Sequence, residues 1–364
     1  MPSMKQQHWQ ITFLTPAFLG NASQNAQWRT PPFKALLRQW WRVAWAADNP
    51  SKDVESMRQH EGVLFGNAWL THEDGRDKKV KDYCKSLVRL RLSRWNGGSL
   101  TQEEWRKLFP KPQHNQKRSY TVTHPEHPGD IPAELYLGYG PISPAHKTTS
   151  LKNNAAIQAG ESAKLSIAYP ESEAKLIEAA LNLMHHFGTL GGRSRNGWGS
   201  LHMEGENGVT APATSVFKNW RDALCCDWPH AIGTDDKGAL IWHTQPFDDW
   251  RKVMEGLAHI KIALRTHFKF PNEKGFHPAP EKRHWLSYPV THHSVTPWGN
   301  NARLPNSLRF KVCKDSSGKL VGKIFHVPCL PPPAFSPNQG TLEGVWREAH
   351  RFLDDYKNIT RAKN

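Results

Sequence analysis

The order of apolar patterns predicts an α+β chain made of two tandem ferredoxin-like, RRM-like units with insertions, the first carrying a glycine-rich loop. Three observations carry this reading. Patterns of strand, helix, strand, strand, helix, glycine-rich turn and strand follow one another between residues 8 and 203, which is the order of a split β-α-β unit. The 364 residues suit two domains at roughly 150 residues each. An acidic, Gly- and Pro-punctuated stretch, GENGVTAPATS at 205–215, separates two basic blocks and sets the expected boundary, with domains at 1–205 and 206–364.

In the first unit, Trp9, Ile11 and Phe13 alternate with Gln10 and Thr12, a half-buried strand ended by Pro16. Thr30 and Pro31 suit a helix start, and FKALLRQWWRVAWAA follows at helical period, with Phe33, Leu36, Leu37, Trp40 and Ala44 on one face. SLVRLRLSR at 86–94 alternates Val88, Leu90 and Leu92 with Arg89 and Arg91, a strand with one basic face. AKLSIAY at 163–169 reads as a strand and SEAKLIEAALNLMHHF at 172–187 as a helix. The region 107–132, rich in Pro, His, Lys and Asn, lacks apolar periodicity and reads as an inserted or mobile loop. The second half is less legible. It offers helices near 214–224, 247–267 and 341–356 and strands near 307–313 and 322–327.

Charge narrows the function. The chain has 48 basic and 33 acidic residues, a net +15 that makes polyanions the first partners to consider. Residues 1–47 hold five basic residues and no acidic one, and 251–364 hold 19 basic against eight acidic. No apolar run approaches the roughly 18–20 residues of a membrane span, and the N-terminus lacks a signal-peptide core, so a cytoplasmic protein is expected. The five cysteines form no Cys-x-x-Cys pair, so reduced thiols and no metal site are expected.

The densest local motif is Gly191-Gly192-Arg193-Ser194-Arg195-Asn196-Gly197-Trp198-Gly199-Ser200. Its glycines permit close backbone approach, its amides can face phosphate oxygens, its arginines are bidentate donors and Trp198 offers a stacking face. A helix cap followed by a tight turn would explain one or two of the glycines, but not four with two arginines. No Gly-Lys-Ser/Thr follows, and the loop leads from helix to strand, so neither a Walker loop nor a dinucleotide fingerprint is present and no cofactor is expected. Lys34, Arg38 and Arg42 recur at i, i+4 and i+8 beside Trp41 and Trp45, with no acidic residue in the helix before Asp48. An RNA or subunit contact and a plain core-plus-surface helix both remain open for that stripe. His185-His186 and His292-His293 lack metal spacing and read as ordinary core or surface histidines, although one well-placed histidine would suffice as a base for RNA cleavage. LGYGP at 137–141 is a weak turn signal.

ITFLTPAFLGN, RTPPFKALLRQWWR, GVLFG (62–66), LYLGYG (135–140), AIQAGE (156–161) and FGTLGGRSRNGWGS (187–200) together resemble the RAMP proteins of CRISPR type III systems. They are most like the first-numbered RAMP subunits of Cmr (type III-B) effector complexes. The resemblance runs over residues 9–205. It implies two tandem ferredoxin-like domains and a non-catalytic subunit at the end of a ribonucleoprotein, near the 3′ part of the guide RNA and the 5′ part of its target. Guide RNA, target RNA and other RAMP subunits are the implied partners, with no membrane and no small-molecule substrate. The implied RNA-binding residues are Lys34, Arg38, Trp41 and Arg42 on the helix and Gly191, Gly192, Arg193, Arg195, Gly197 and Gly199 in the loop, to which the reading of the residues adds Ser194 and Trp198. The rival from another class is a metal-independent ribonuclease of the same fold, acting through a histidine on guide precursors. A protein–protein adaptor whose tryptophans meet only neighbouring subunits is the third.

Overall fold

Trp9, Ile11 and Phe13 are buried on alternate positions of strand β1 (Met4–Phe13), and that half-buried strand lies inside a four-stranded sheet. The computed structural model describes residues 3–362 except 24, 74–78, 115, 207 and 272–273, and only the backbone at 69–73 and 79–82. After β1 come α1 (Thr30–Asp48), β2 (Arg89–Leu92), β3 (Ser162–Pro170), α2 (Ala174–Phe187) and β4 (Leu201–Gly205). The sheet order is β4-β1-β3-β2 with every pair antiparallel, so the two central strands are the first and third of a β-α-β-β-α-β unit. Both helices lay their apolar stripes on one face: Phe33, Leu37, Trp40 and Ala44 of α1 meet Ile177, Leu181 and Met184 of α2 in one core.

The second half repeats the plan. Strand β5 (Ile241–Thr244), helix α3 (Trp250–His267), strands β6 (Leu308–Lys314) and β7 (Leu320–His326), helix α4 (Gln339–Asp355) and strand β8 (Ile359–Arg361) form a sheet ordered β6-β7-β5-β8, again antiparallel. This is the same unit seen from its other edge, and the expected α+β class with two ferredoxin-like units holds. The expected helix at 214–224 does not. That stretch is a 3₁₀ turn (Thr214–Val216), a short strand (Phe217–Asn219) and a second turn (Asp222–Cys225). Strands β5 and β8 were not foreseen.

The region 107–132, expected as an inserted or mobile loop, lies within an insertion, the chain between β2 and β3. That chain folds into short helices (Gln102–Leu108 and Ala133–Gly138) and hairpins, including Thr121–Thr123 with Asp130–Pro132. Trp105, Phe109, Val122 and Leu137 from it are buried in the same core as Val253, Leu257 and Phe310 of the second unit. The insertion therefore packs across the two units instead of hanging from the first. No helix among the described residues is long and apolar enough to cross a membrane.

Candidate nucleic-acid interface

The glycine-rich segment runs from α2 to β4, and most of its backbone is committed inside the protein. The amides of Gly192 and Gly199 donate to the carbonyls of Phe18 (3.0 Å) and Pro16 (2.9 Å), Ser200 N donates to Thr15 Oγ1 (3.0 Å), and Gly197 N closes a turn onto Ser194 O (3.1 Å). Gly199 has φ +63°, and a Cβ there would lie 1.9 Å from the carbonyl oxygen of Leu190. That close approach, more than a ligand, accounts for this glycine. The expectation that loop amides face a phosphate is corrected for these positions. Trp198 is also reassigned: it is fully buried against Phe18, Trp105 and Trp250, with ring centroids 5.2, 6.3 and 5.8 Å away, and offers no face to a base.

The second unit locks onto this loop. Phe310 N donates to Arg195 O (2.9 Å) and Val312 N to Ser200 Oγ (2.8 Å), so β6 lies along the segment. Between them, the fully buried Lys311 extends its ammonium to the carbonyls of His185 (2.6 Å), Gly188 (2.8 Å) and Leu201 (2.7 Å). Three N–H donors meet carbonyls at and just beyond the negative end of α2. Burial, with Lys323 nearby, pushes its pKa well below the usual lysine value.

What remains of the loop, Arg193, Ser194 and Arg195, forms part of the wall of a cleft of about 1820 Å³ between the units. The other walls bring Lys261 and Arg265 from α3 and Lys269 just after it, then Lys274, Arg283, Arg303 and Arg309, against one carboxylate among the described residues, Glu126. Glu126 is already held by Arg283 Nη1 at 2.6 Å. Arg193 Nε donates to Tyr139 O (2.6 Å), and Arg265 Nη1 to Ser287 Oγ (2.5 Å). Lys261 Nζ donates to Asn196 Oδ1 (2.8 Å), and burial followed by repulsion from Arg265 and Arg193 brings it down to about 7.

Arg309 is the least compensated of these groups. Only 7% exposed, it leaves its Nε buried with no hydrogen-bond partner among the described residues, with the ring of Trp40 6.0 Å away and the Cys329 thiol nearby. Burial, and then the neighbouring Arg195, pull it down to about 10. A buried, unpaired cation is normally eliminated or paired, so its survival on a cleft wall fits an anionic guest.

The basic stripe of α1 lies elsewhere. Arg38 Nε (2.9 Å) and Arg42 Nη2 (2.8 Å) both bind Glu61, a carboxylate buried in the helix Val54–Phe65, and Lys34 Nζ caps that helix at Phe65 O (2.9 Å). The acidic partner absent from α1 is supplied by the next helix. Trp41 is fully buried beside His60 and Phe65, so it cannot stack a base. It is Leu36, Gln39 and Trp40 of α1 that reach the cleft. His185 Nδ1 donates to Met203 O (2.8 Å) and the ring is held neutral, its pKa pulled to about 3 by burial and then Lys311. His292 and His293 do line the cleft, with His293 stacked on Phe270 and 3.0 Å from His277.

Sequence reading missed Lys261, Arg265, Arg283, Arg303 and Arg309. The one available signal was Lys261, Arg265 and Lys269 at four-residue spacing in a block with 19 basic residues against eight acidic.

A family model described as RAMP superfamily matches residues 10–202. No curated protein matches the sequence. Among solved structures, the apo crystal structure of Cmr1 from Pyrococcus furiosus is 15% identical, covers 98% of each chain and superposes with a TM-score of 0.44. A chain of the cryo-EM structure of the type III-B Cmr-beta bound to cognate target RNA is 12% identical over 95% of this chain and 100% of its own, with a TM-score of 0.46.

Proposed function

The chain belongs to the RAMP superfamily, and from that premise we propose that it is a non-catalytic RNA-binding subunit of a type III-B (Cmr) CRISPR effector ribonucleoprotein. In this reading it contacts the 3′ part of the guide RNA, the 5′ part of the target, or both, and it assembles with other RAMP subunits in the cytoplasm. The observation that carries the RNA assignment is the buried Arg309 Nε, unpaired among the described residues, beside Arg195 in a cleft whose one described carboxylate is already taken. A phosphodiester would accept from both guanidiniums, offset the buried charge and leave the bases to guide–target pairing. Arg193 and Lys261 would extend the track along the same wall. In this reading the basic side chains meet phosphates and sequence is read by guide–target pairing, so unrelated sequences should bind alike.

The test is fluorescence anisotropy of the purified chain with two unrelated single-stranded RNAs over a salt series in EDTA, with the RNA recovered on denaturing gels. Wild type should bind both RNAs with steep salt dependence and leave them intact. Arg195→Ala with Arg309→Ala should weaken both about equally and reduce the salt slope by roughly two. Unchanged binding by that variant would remove the cleft as the RNA site. Site-specific cleavage leaving 2′,3′-cyclic phosphate ends would overturn the non-catalytic reading in favour of a metal-independent ribonuclease. A shallow salt slope with weak binding would favour the adaptor.

A further inference from the structure

Away from the cleft, where the second 3₁₀ turn (Asp222–Cys225) ends, the fold gathers two thiols and an imidazole that the spacing Cys-Cys-x-x-x-His does not announce as a metal motif. Cys225 closes the turn and Cys226 is extended, at φ −151° and ψ 163°. That change of backbone brings two successive sulfurs to 3.7 Å, where successive side chains of a regular strand would point apart. Pro229 and a return of the chain then bring His230, 1% exposed, beside them. Its Nε2 is 4.0 Å from each sulfur, and its Nδ1 is 3.4 Å from Cys226 Sγ.

The imidazole is already oriented. His230 Nδ1 lies 2.8 Å from the carbonyl oxygen of Trp228. A carbonyl only accepts, so the proton sits on Nδ1 and Nε2 keeps its lone pair, the arrangement that second-shell carbonyls impose on ligating histidines. The three ligand atoms lie 3.7–4.0 Å from one another, within reach of a single ion once the His230 ring turns its Nε2 lone pair toward the two sulfurs. Two thiolates would neutralise a divalent ion, and sulfur with imidazole selects zinc over calcium or magnesium.

We propose that Cys225, Cys226 and His230 bind a single zinc ion, with water or the Ser51 hydroxyl in the fourth position. The surroundings define its role. Ser51 Oγ is 3.4 Å from Cys225 Sγ, Trp228 Nε1 donates to Ser51 O (3.2 Å), and Leu330 N donates to Cys226 O (2.9 Å). Three chain segments converge there: the turn after α1, the connection between the units and the approach to α4. The ion is a structural staple across that junction, and binding it releases the two thiol protons as the thiolates form.

The full-length protein, reduced and stripped with a chelator, is titrated with cobalt(II) alone and then with zinc. One equivalent of cobalt should bind with a thiolate-to-cobalt charge-transfer band and the strong visible absorption of a tetrahedral centre. Zinc should displace it and raise the melting temperature. Cys225→Ser with Cys226→Ser should abolish the charge-transfer band, Cys313→Ser should leave it unchanged, and His230→Ala should weaken cobalt more than roughly a hundredfold, beyond the effect of losing an outer-shell group. If the double variant does not fold, the wild-type spectrum decides. Cobalt binding without thiolate charge transfer, no binding, or a Cys225–Cys226 disulfide in place of metal uptake each overturns the site.

Discussion

Lys311 Nζ lies 2.8 Å from the carbonyl oxygen of Gly188, so a side chain from the second sheet closes the helix end that opens the glycine-rich segment of the first. The bond makes the position of Arg193 and Arg195 depend on both units at once. The loop is held from two directions: β6 supplies partners on one side and residues 15–18 on the other.

Lys311→Met is expected to destabilise the protein by about 2–4 kcal/mol, since buried carbonyls lose their donor and each unsatisfied group costs on the order of 1 kcal/mol or more. Urea denaturation measures it. The pH dependence has a definite sign. The folded-state pKa of Lys311 is depressed, so between it and the unfolded value of about 10.4 the unfolded chain binds more protons. Wild-type stability should therefore rise with pH in the alkaline range below 10 relative to Lys311→Met. Parallel pH curves for the two proteins would contradict the burial of a titrating ammonium.

Lys261 couples RNA to protons. Its pKa of about 7 in the free protein reflects burial and the nearby Arg265 and Arg193, and a phosphate in the cleft would raise it. Binding then takes up a proton above pH 7, and affinity should fall as pH rises from 7 toward 9. Lys261→Met should bind more weakly at pH 6.5 and show a flatter profile. The measurement is anisotropy at constant ionic strength, and equal pH slopes for the two proteins would exclude Lys261 from the interface.

Glu61 separates folding from binding. It is 4% exposed and held by Arg38 and Arg42, so Arg38→Ala with Arg42→Ala strands a buried carboxylate. The expected result is a loss of about 2–4 kcal/mol of stability, with RNA affinity within about twofold of wild type. Because both arginines are half-exposed, the lower end is expected. A tenfold loss of RNA affinity with stability retained would restore the stripe as an RNA contact.

Period-based reading recovered the elements whose two faces differ. Trp9, Ile11 and Phe13 alternate because one side of β1 faces the core, and α2 shows its stripe for the same reason. Strand β5 was illegible because Ile241, Trp242 and Thr244 are all buried, which erases alternation, and β8 has only three residues. The cleft was half legible. Arg193 and Arg195 stand out because the signal is local, whereas Arg309 reaches the same wall from β6, more than a hundred residues later, and only the docking of Phe310 on Arg195 brings it there. Trp198 misled for the opposite reason. A tryptophan among glycines reads as exposed, yet Phe18, Trp105 and Trp250 arrive from three distant segments to cover it.

Arg309 is where stability and function should part. Its side chain is buried, its Nε has no hydrogen-bonding partner among the described residues, and Arg195 lies close by, an arrangement that burial alone disfavours. Met is of similar length, packs on Trp40 without the charge, and removes the repulsion. Arg309→Met should therefore leave stability unchanged or raise it, by up to about 2 kcal/mol, as replacing buried charges by apolar groups has done elsewhere. The same substitution should weaken RNA binding roughly tenfold or more, since a charge-assisted contact to phosphate is worth about 1.5–3 kcal/mol. Thermal melting and anisotropy on one preparation test both arms. If Arg309→Met both melts earlier and binds RNA normally, the guanidinium is a structural group whose partner lies within the fold, and the cleft loses its best anion site. If stability holds and binding falls, the strain at Arg309 is kept for the phosphate it awaits.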